Sequence, residues 1–340
     1  MCFSLSVPSN LMSVTRRQCL TLLGASACAA AQPSLLETWR RIASETDGEV
    51  GAACLHLTTG RATSMNGTHR FPLASVCKFP IAAHMLALVD EGKFTLNQPI
   101  EILPQDVTRQ VSPIGERWPG QRRFPLNELL EVMVARSDNT AVETLFRIGG
   151  GAPALAARFH HWGVRGVRID RSEMQCNLDS SGIVDYPPRS QWDSETFDRL
   201  IANPDPDKLE RAMRSFLADP RDTGTPDDTV QLLAKAFRGE LLSNPSTARL
   251  LEILRATTTG RGRLKGLLPE GTIVGHKTGS TGTFRGLTAG TNDVGVITLP
   301  NGRDLLAIAV YVKASTRDDA TRDGVIARIA RAAYDSALPR

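Results

Sequence analysis

The chain lacks the features that would place it in several broad classes. It has no strong charge of one sign: 40 Lys and Arg stand against 36 Asp and Glu, a net charge of +4 over 340 residues. It has no basic run with interleaved aromatics, which argues against a nucleic-acid partner. Past the N-terminal segment it has no apolar run long enough to span a bilayer. Cysteine is scarce. Of six, Cys2, Cys19 and Cys28 fall at the extreme N-terminus, leaving Cys54, Cys77 and Cys176. An odd remainder argues against a disulfide framework and allows one bridge at most, and the spacings match no zinc motif. Internal repeats are absent. What is left is an ordinary globular composition, long enough for one large domain or two lobes.

The N-terminus reads as an export signal over residues 1–31. "TRRQCLTLLGASACAAAQ" (15–32) runs from two arginines through an apolar stretch to small residues. Arg16 and Arg17 sit where a twin-arginine signal wants them, although Cys19 replaces the usual bulky apolar residue. Ala29, Ala30 and Ala31 suit a signal peptidase, with Gln32 as the first mature residue, and Met12 is an alternative start. A lipoprotein signal with Cys28 as the modified residue is the rival reading, weakened by Ala25 in the place that usually holds leucine. The mature protein is then expected in the periplasm or outside the cell, free of the membrane once the signal is removed.

Downstream, strands lie at both ends and helices between. "EVGAACLHLTTGRATSMNG" (49–67) predicts two strands joined by a turn at Thr59-Gly60, while 272–279, 293–300 and 304–312 alternate as strands do. Helical spacing marks 34–44, 75–90, 126–137, 139–148, 152–163, 226–239, 244–258 and 318–337. The simplest architecture is an α/β (α+β) fold of two lobes. Residues 32–66 and 259–340 form an antiparallel sheet flanked by the terminal helices, and 67–258 form a helical lobe. The cleft between such lobes is a usual place for a small-molecule site.

Three short motifs carry candidate chemistry. In Ser75-x-x-Lys78 both residues share one helix face, so a lysine of lowered pKa could take the serine proton. A chain this long holds about one such spacing by chance. The bland reading is that Ser75 caps the helix and Lys78 is solvated, but Lys78 lies inside an apolar helix, where a charge needs a reason. Ser137-Asp138-Asn139 joins two apolar helices: it is a loop with Asp138 as an N-cap, or a proton relay beside an amide holder. "HKTGSTG" (276–282) ends a strand. Lys277 and Thr278 offer a cation and a hydroxyl, and Gly279 lets a ligand lie along the strand, unless Lys277 merely protects an edge.

In this order the three motifs resemble those of class A β-lactamases and penicillin-binding proteins. The resemblance covers roughly residues 35–335, implies a serine β-lactamase-like fold with a five-stranded sheet, and implies no metal or organic cofactor. "RSEMQCN" (171–177) resembles the class A Ω-loop segment, which penicillin-binding proteins lack. It implies Glu173 as the base that activates the deacylating water and Asn177 as its partner. The resemblance further implies Ser75 as nucleophile, with Lys78 or Glu173 through a water as its base. It makes Ser137 a proton relay and Asn139 the holder of the substrate amide. Backbone N–H groups of Ser75 and Ser280 become the oxyanion hole, and Lys277, Thr278, Gly279, Ser280 and Arg263 the carboxylate end of the site. Arg263 stands fourteen residues before Lys277, as in some class A enzymes. The run after Lys277 is similar to the extended-spectrum subgroup with an enlarged loop. The expected function is hydrolysis of a β-lactam amide by a monomer. The alternatives are a penicillin-binding carboxypeptidase or transpeptidase, or a non-catalytic sensor domain that is acylated and stops.

Three departures from the family bear on substrate range. The Ω-loop is long: the expected partner of Arg171 is Asp222, so the loop spans 171–222 with an insertion at about 178–220, in which 194–202 and 207–219 have helical patterns. That insertion either caps the cleft or is a surface excursion. Val111 stands where many relatives have an aromatic wall residue. Cys77 and Cys176 are placed by the resemblance beside Glu173, where a bridge between them would tie the Ω-loop to the nucleophile helix; the alternative is two small buried thiols.

Overall fold

The computed structural model describes Met1, residues 33–203 and residues 205–339. The expected export segment, with Arg16, Arg17, Cys19 and Cys28, lies outside the described residues.

Strands β1 (Glu49–His56) and β2 (Ala62–Met65) form the first hairpin. Two short ladders follow, β3 (Phe71–Pro72) on β6 (Thr223–Gly224) and β4 (Pro99–Glu101) on β5 (Arg123–Pro125). Then come β7 (Val274–Ser280), β8 (Thr283–Phe284), β9 (Leu287–Thr298) and β10 (Leu305–Ser315). The main sheet has the order β2-β1-β10-β9-β7, antiparallel throughout, with β8 folded back on β9. Its inner strands read as unbroken apolar runs because both faces are covered. On β10, Leu306, Ile308, Val310 and Val312 enter one core, and Ala307, Ala309 and Tyr311 enter the other. β9 starts six residues earlier than the sequence pattern suggests. "LTAGTN" (287–292) is small and polar like a turn, but its backbone is paired on both sides, Asn292 with Gly279 and Tyr311.

Helix α1 (Leu35–Ala43) opens with a capping box, in which Ser34 Oγ accepts from Glu37 N–H and the Glu37 carboxylate accepts from Ser34 N–H at 2.7 Å. A 3₁₀ turn, Ala74–Cys77, leads into α2 (Lys78–Asp90). The expected helix from Ser75 is therefore corrected: the α-helical part starts at Lys78. Pro80 has no N–H to give to Val76, so only a helix beginning late can keep Pro80 in its first turn, where no donor is missed. Every residue of α2 from Lys78 to Leu88 is buried, as befits a helix apolar all round. Around it lie α3 (Pro113–Arg117), α4 (Leu126–Ala135), α5 (Asn139–Ile148) and α6 (Gly151–His161), the last ended by Gly163 at φ +69°.

The long Ω-loop segment carries α7 (Glu173–Ser180), α8 (Thr196–Ile201) and α9 (Pro206–Ala218), so both helical patterns in the insertion are real helices. Trp192 stacks near Phe197, and with Met174 and Leu178 they form a small core of the insertion's own. Asp198 accepts from Thr108 Oγ1 (2.8 Å) and Arg109 N–H (3.1 Å), fixing α8 to the body. The insertion is docked on the molecule rather than an excursion from it. Helices α10 (Pro226–Phe237) and α11 (Asn244–Arg255) complete the helical side. α12 (Asp319–Ala337) packs with α1 on the other sheet face, where Trp39 Nε1 donates to Ile329 O at 3.1 Å.

Candidate active site

The site forms where α2, the α4–α5 turn, α7 and β7 converge. Ser75 lies inside the 3₁₀ turn and not at the helix N-cap, which falls on Cys77 with no side-chain bond. Lys78 is fully buried. The bland readings of both residues therefore fail. Lys78 Nζ donates to Ser137 O (2.8 Å), Ser137 Oγ (3.2 Å) and Asn139 Oδ1 (2.6 Å), and stands 3.0 Å from Glu173 Oε2 as an ion pair. Ser75 Oγ is 3.5 Å from the other carboxylate oxygen, Glu173 Oε1. Lys78, the turn at Ser137–Asn139 and Glu173, up to 95 residues apart (173 − 78), thus meet at one buried nitrogen.

Local backbone explains how. Ser137 has φ +61°, a left-handed conformation that is unfavourable for a residue with a Cβ, and it turns both its carbonyl and its hydroxyl toward Lys78. Asp138 holds that turn. Its buried carboxylate accepts from Ala141 N–H and Ser112 Oγ through Oδ1 and from Ile114 N–H through Oδ2, and burial pushes its pKa up. Its capping role is real, and it leaves Ser137 and Asn139 free for Lys78.

On β7, Lys277 is fully buried, so it is not an edge-protecting lysine. Its Nζ donates to Ser137 Oγ (3.1 Å) and Thr278 O (2.8 Å). Burial, then the nearby Lys78 cation, lowers its pKa to about 7. Ser137 Oγ accordingly lies between two lysines. A Cβ on Gly279 would sit 2.5 Å from Leu73 O and 3.1 Å from Val76 N. Glycine is needed there so that the 3₁₀ turn carrying Ser75 can pack against the strand, a role other than the ligand contact expected of it. Thr278 Oγ1 pairs with Thr259 Oγ1 at 2.6 Å. Arg263 gives its donors to Asp323 Oδ1 (2.7 Å), Gly279 O (3.1 Å), Asn292 O (3.0 Å) and Ser280 Oγ (2.8 Å), so it reaches the site through Ser280.

Glu173 opens α7, and Asn177 lies four residues on, on the same helix face. The expected Arg171–Asp222 closure is present: Arg171 Nε meets Asp222 Oδ2 at 2.5 Å across 51 residues. The same guanidinium meets Asp179 (2.7 Å) and Asp219 (3.4 Å), so it gathers both ends of the insertion. A second tie escaped sequence reasoning. Glu143 of α5 is buried, accepts from Met174 N–H at 2.7 Å next to Glu173, and is paired with Arg189 of the insertion at 2.8 Å. An acidic residue in the apolar stripe of α5 was the signal available for it. Cys77 and Cys176 are both free thiols, raised in pKa by burial, so the bridge considered between them is not formed. Val111 is well exposed.

A cavity of about 380 Å³ opens over these groups, lined among others by Ser75, Glu173, Asn177 and Ser280. Among the described residues no group of three or more His, Cys, Asp or Glu is gathered closely enough to hold a metal ion. A serine and a carboxylate facing one cavity, with buried Lys78 paired to that carboxylate and buried Lys277 bonded to Ser137, are the elements of nucleophilic acyl transfer.

Comparison with known proteins agrees. The model of the family described as "Beta-lactamase enzyme family" matches residues 34–337. The chain is 32% identical to the beta-lactamase VEB-1 of Pseudomonas aeruginosa over 85% of each chain. It is 34% identical to the extended-spectrum beta-lactamase PER-1 of the same organism, over 81% of this chain and 78% of that one. A solved ancestral class A beta-lactamase, 31% identical, overlies it with a TM-score of 0.72 over 89% of this chain and all of its own.

Proposed function

The chain belongs to the beta-lactamase enzyme family, in its class A serine group, and hydrolyses β-lactams; from that premise we propose how its residues divide the work. Ser75 Oγ attacks the lactam carbonyl. Lys78 Nζ donates to Ser137 O, Ser137 Oγ and Asn139 Oδ1 and is ion-paired with Glu173 Oε2, and Ser75 is not among its hydrogen-bond partners. The Ser75 proton therefore goes to Glu173, 3.5 Å away, directly or through a water. The N–H groups of Ser75 and Ser280 stabilise the developing oxyanion. The approach that Gly279 permits between the nucleophile turn and β7 supports that pairing.

Ser137 Oγ accepts from two lysines, which leaves its own proton free to pass to the departing nitrogen. Asn139 holds the acylamide. Lys277 and Ser280, with Thr278 and Arg263 behind them, take the carboxylate. The proton on Glu173 returns through Lys78 to Ser137, so that Glu173, again a carboxylate, with Asn177 positions and deprotonates the water that releases the acyl group, and Ser75 Oγ regains a proton as it leaves. The observation that carries this reading is the meeting of Ser137, Asn139 and Glu173 at Lys78 Nζ. We also propose that residues 1–31 direct export to the periplasm or medium and that the mature enzyme works as a monomer.

The test is a time course of chromogenic cephalosporin hydrolysis by protein beginning at Gln32, beside Glu173→Ala. Sustained turnover by the wild type with one stoichiometric burst from the variant supports the assignment. Equal turnover by both would remove Glu173 from the mechanism.

A further inference from the structure

The roles assigned so far leave one wall of the cleft without a task. Helix α9 of the insertion turns Leu209, Met213 and Phe216 into the same cavity that Ser75 and Glu173 line. Their spacing, four and then three residues, puts them on one face. Met213 and Phe216 are buried there against Ala289, Phe284 and Cys176. The apolar patch therefore begins one residue from Asn177 and crosses to the β8–β9 hairpin. Beside that face, Glu210 pairs with Arg285 at the hairpin tip, with Asp207 4.0 Å from the same arginine.

The charged side chains nearby are already matched. Arg171 is held by Asp179, Asp219 and Asp222, and Glu173 by Lys78. Each of these charges already has a partner of opposite sign, so a charged ligand group at the α9 wall would have to compete with an existing ion pair. On the reading above, the acyl carbon sits at Ser75 and the carboxylate lies toward Lys277 and Ser280. The side chain on the substrate's amide must then fill the rest of the enclosure, against α9 and Phe284. An apolar group gains contact there, whereas a charged group would lose water and find no partner.

We propose that α9 is a specificity wall, with Leu209, Met213, Phe216 and Phe284 selecting β-lactams whose acyl side chain is uncharged and aromatic or branched, and rejecting those charged at that position. The proposal rests on the hydrolase reading. Its test compares kcat/KM for benzylpenicillin and for carbenicillin, which adds one carboxylate to the same side chain, in the wild type, Leu209→Lys and Leu209→Met. Leu209 is only half-buried, so a lysine there can place its charge at the cavity without entering the core. The wild type is expected to favour benzylpenicillin by about tenfold or more, Leu209→Lys to shift the ratio toward carbenicillin by about tenfold, and Leu209→Met to keep the wild-type ratio. A wild-type ratio within about twofold of unity, or one that Leu209→Lys leaves unmoved, would overturn the wall while the hydrolase reading stands. A wild type that turns over neither penicillin nor a chromogenic cephalosporin would overturn both.

Discussion

On one side of the cleft, Lys78, Ser137 and Lys277 are rooted in the largest apolar core, between α2, α5 and β7. On the other, Glu173 stands on α7, in a segment whose own apolar clusters are small. That second side is tied down by charge: Arg171 to three aspartates and Arg189 to Glu143. The first wall resists disturbance because moving its groups would open a packed core. The second can be released by removing one ionic hub. The proposed mechanism draws on both, since Ser75 comes from one wall and Glu173 from the other.

Predictions follow from that contrast, the largest effect first. Glu173→Ala removes the reactive group of the ion-tied wall and leaves the core-rooted wall whole. Turnover should fall by about a hundred- to ten-thousandfold while acylation persists, read by steady-state rates and by mass spectrometry of the trapped acyl-enzyme. Arg171→Ala should unfasten the whole wall. Three carboxylates lose their shared cation, and urea denaturation should show a loss of about 3–5 kcal/mol, with activity falling alongside. An unchanged stability would mean that the insertion's small cores suffice without the hub.

The core-rooted wall should reveal itself through pH instead. Burial and Lys78 lower the Lys277 pKa to about 7, so below that pH Lys277 is an ammonium that can hold a carboxylate, and above it the cation is lost. kcat/KM for an anionic substrate should fall as pH rises through about 7, by about tenfold per unit, and Lys277→Arg should move that limb to higher pH because guanidinium stays charged. A limb that remains in place in Lys277→Arg belongs to another group. Arg285→Ala, which cuts a largely exposed pair to Glu210, should change stability by less than about 0.5 kcal/mol in the same denaturation assay.

Local pattern was enough to find most of the elements, because their signals are local: alternation in β1 and β10, helical spacing in α4, α5 and α9, and Gly163 ending α6. It was not enough where pairing partners decide. Residues 287–292 look like a turn and are strand because β10 pairs them on one side and β8, then β7, on the other. The helix start at Lys78 depended on one proline whose cost appears only when hydrogen bonds are counted. The groups that meet in the cleft were legible through their motifs, and so was the Arg171–Asp222 closure. Glu143 was not, since nothing near it in sequence names Met174 N–H or Arg189 as its partners.

By itself the sequence determined which chemical groups this protein has and in what order: a serine with a lysine one turn on, a polar turn between two apolar helices, a lysine–threonine–glycine strand end and a loop glutamate. Such motifs are set by residue type and by spacing of a few positions. Only the tertiary structure decided that Lys78 is shared by Ser137, Asn139 and Glu173, that Gly279 serves the packing of the nucleophile turn, and that the insertion closes over the cleft as an apolar wall. Those outcomes depend on burial and on contacts between distant segments, and both come into being only when the chain is packed.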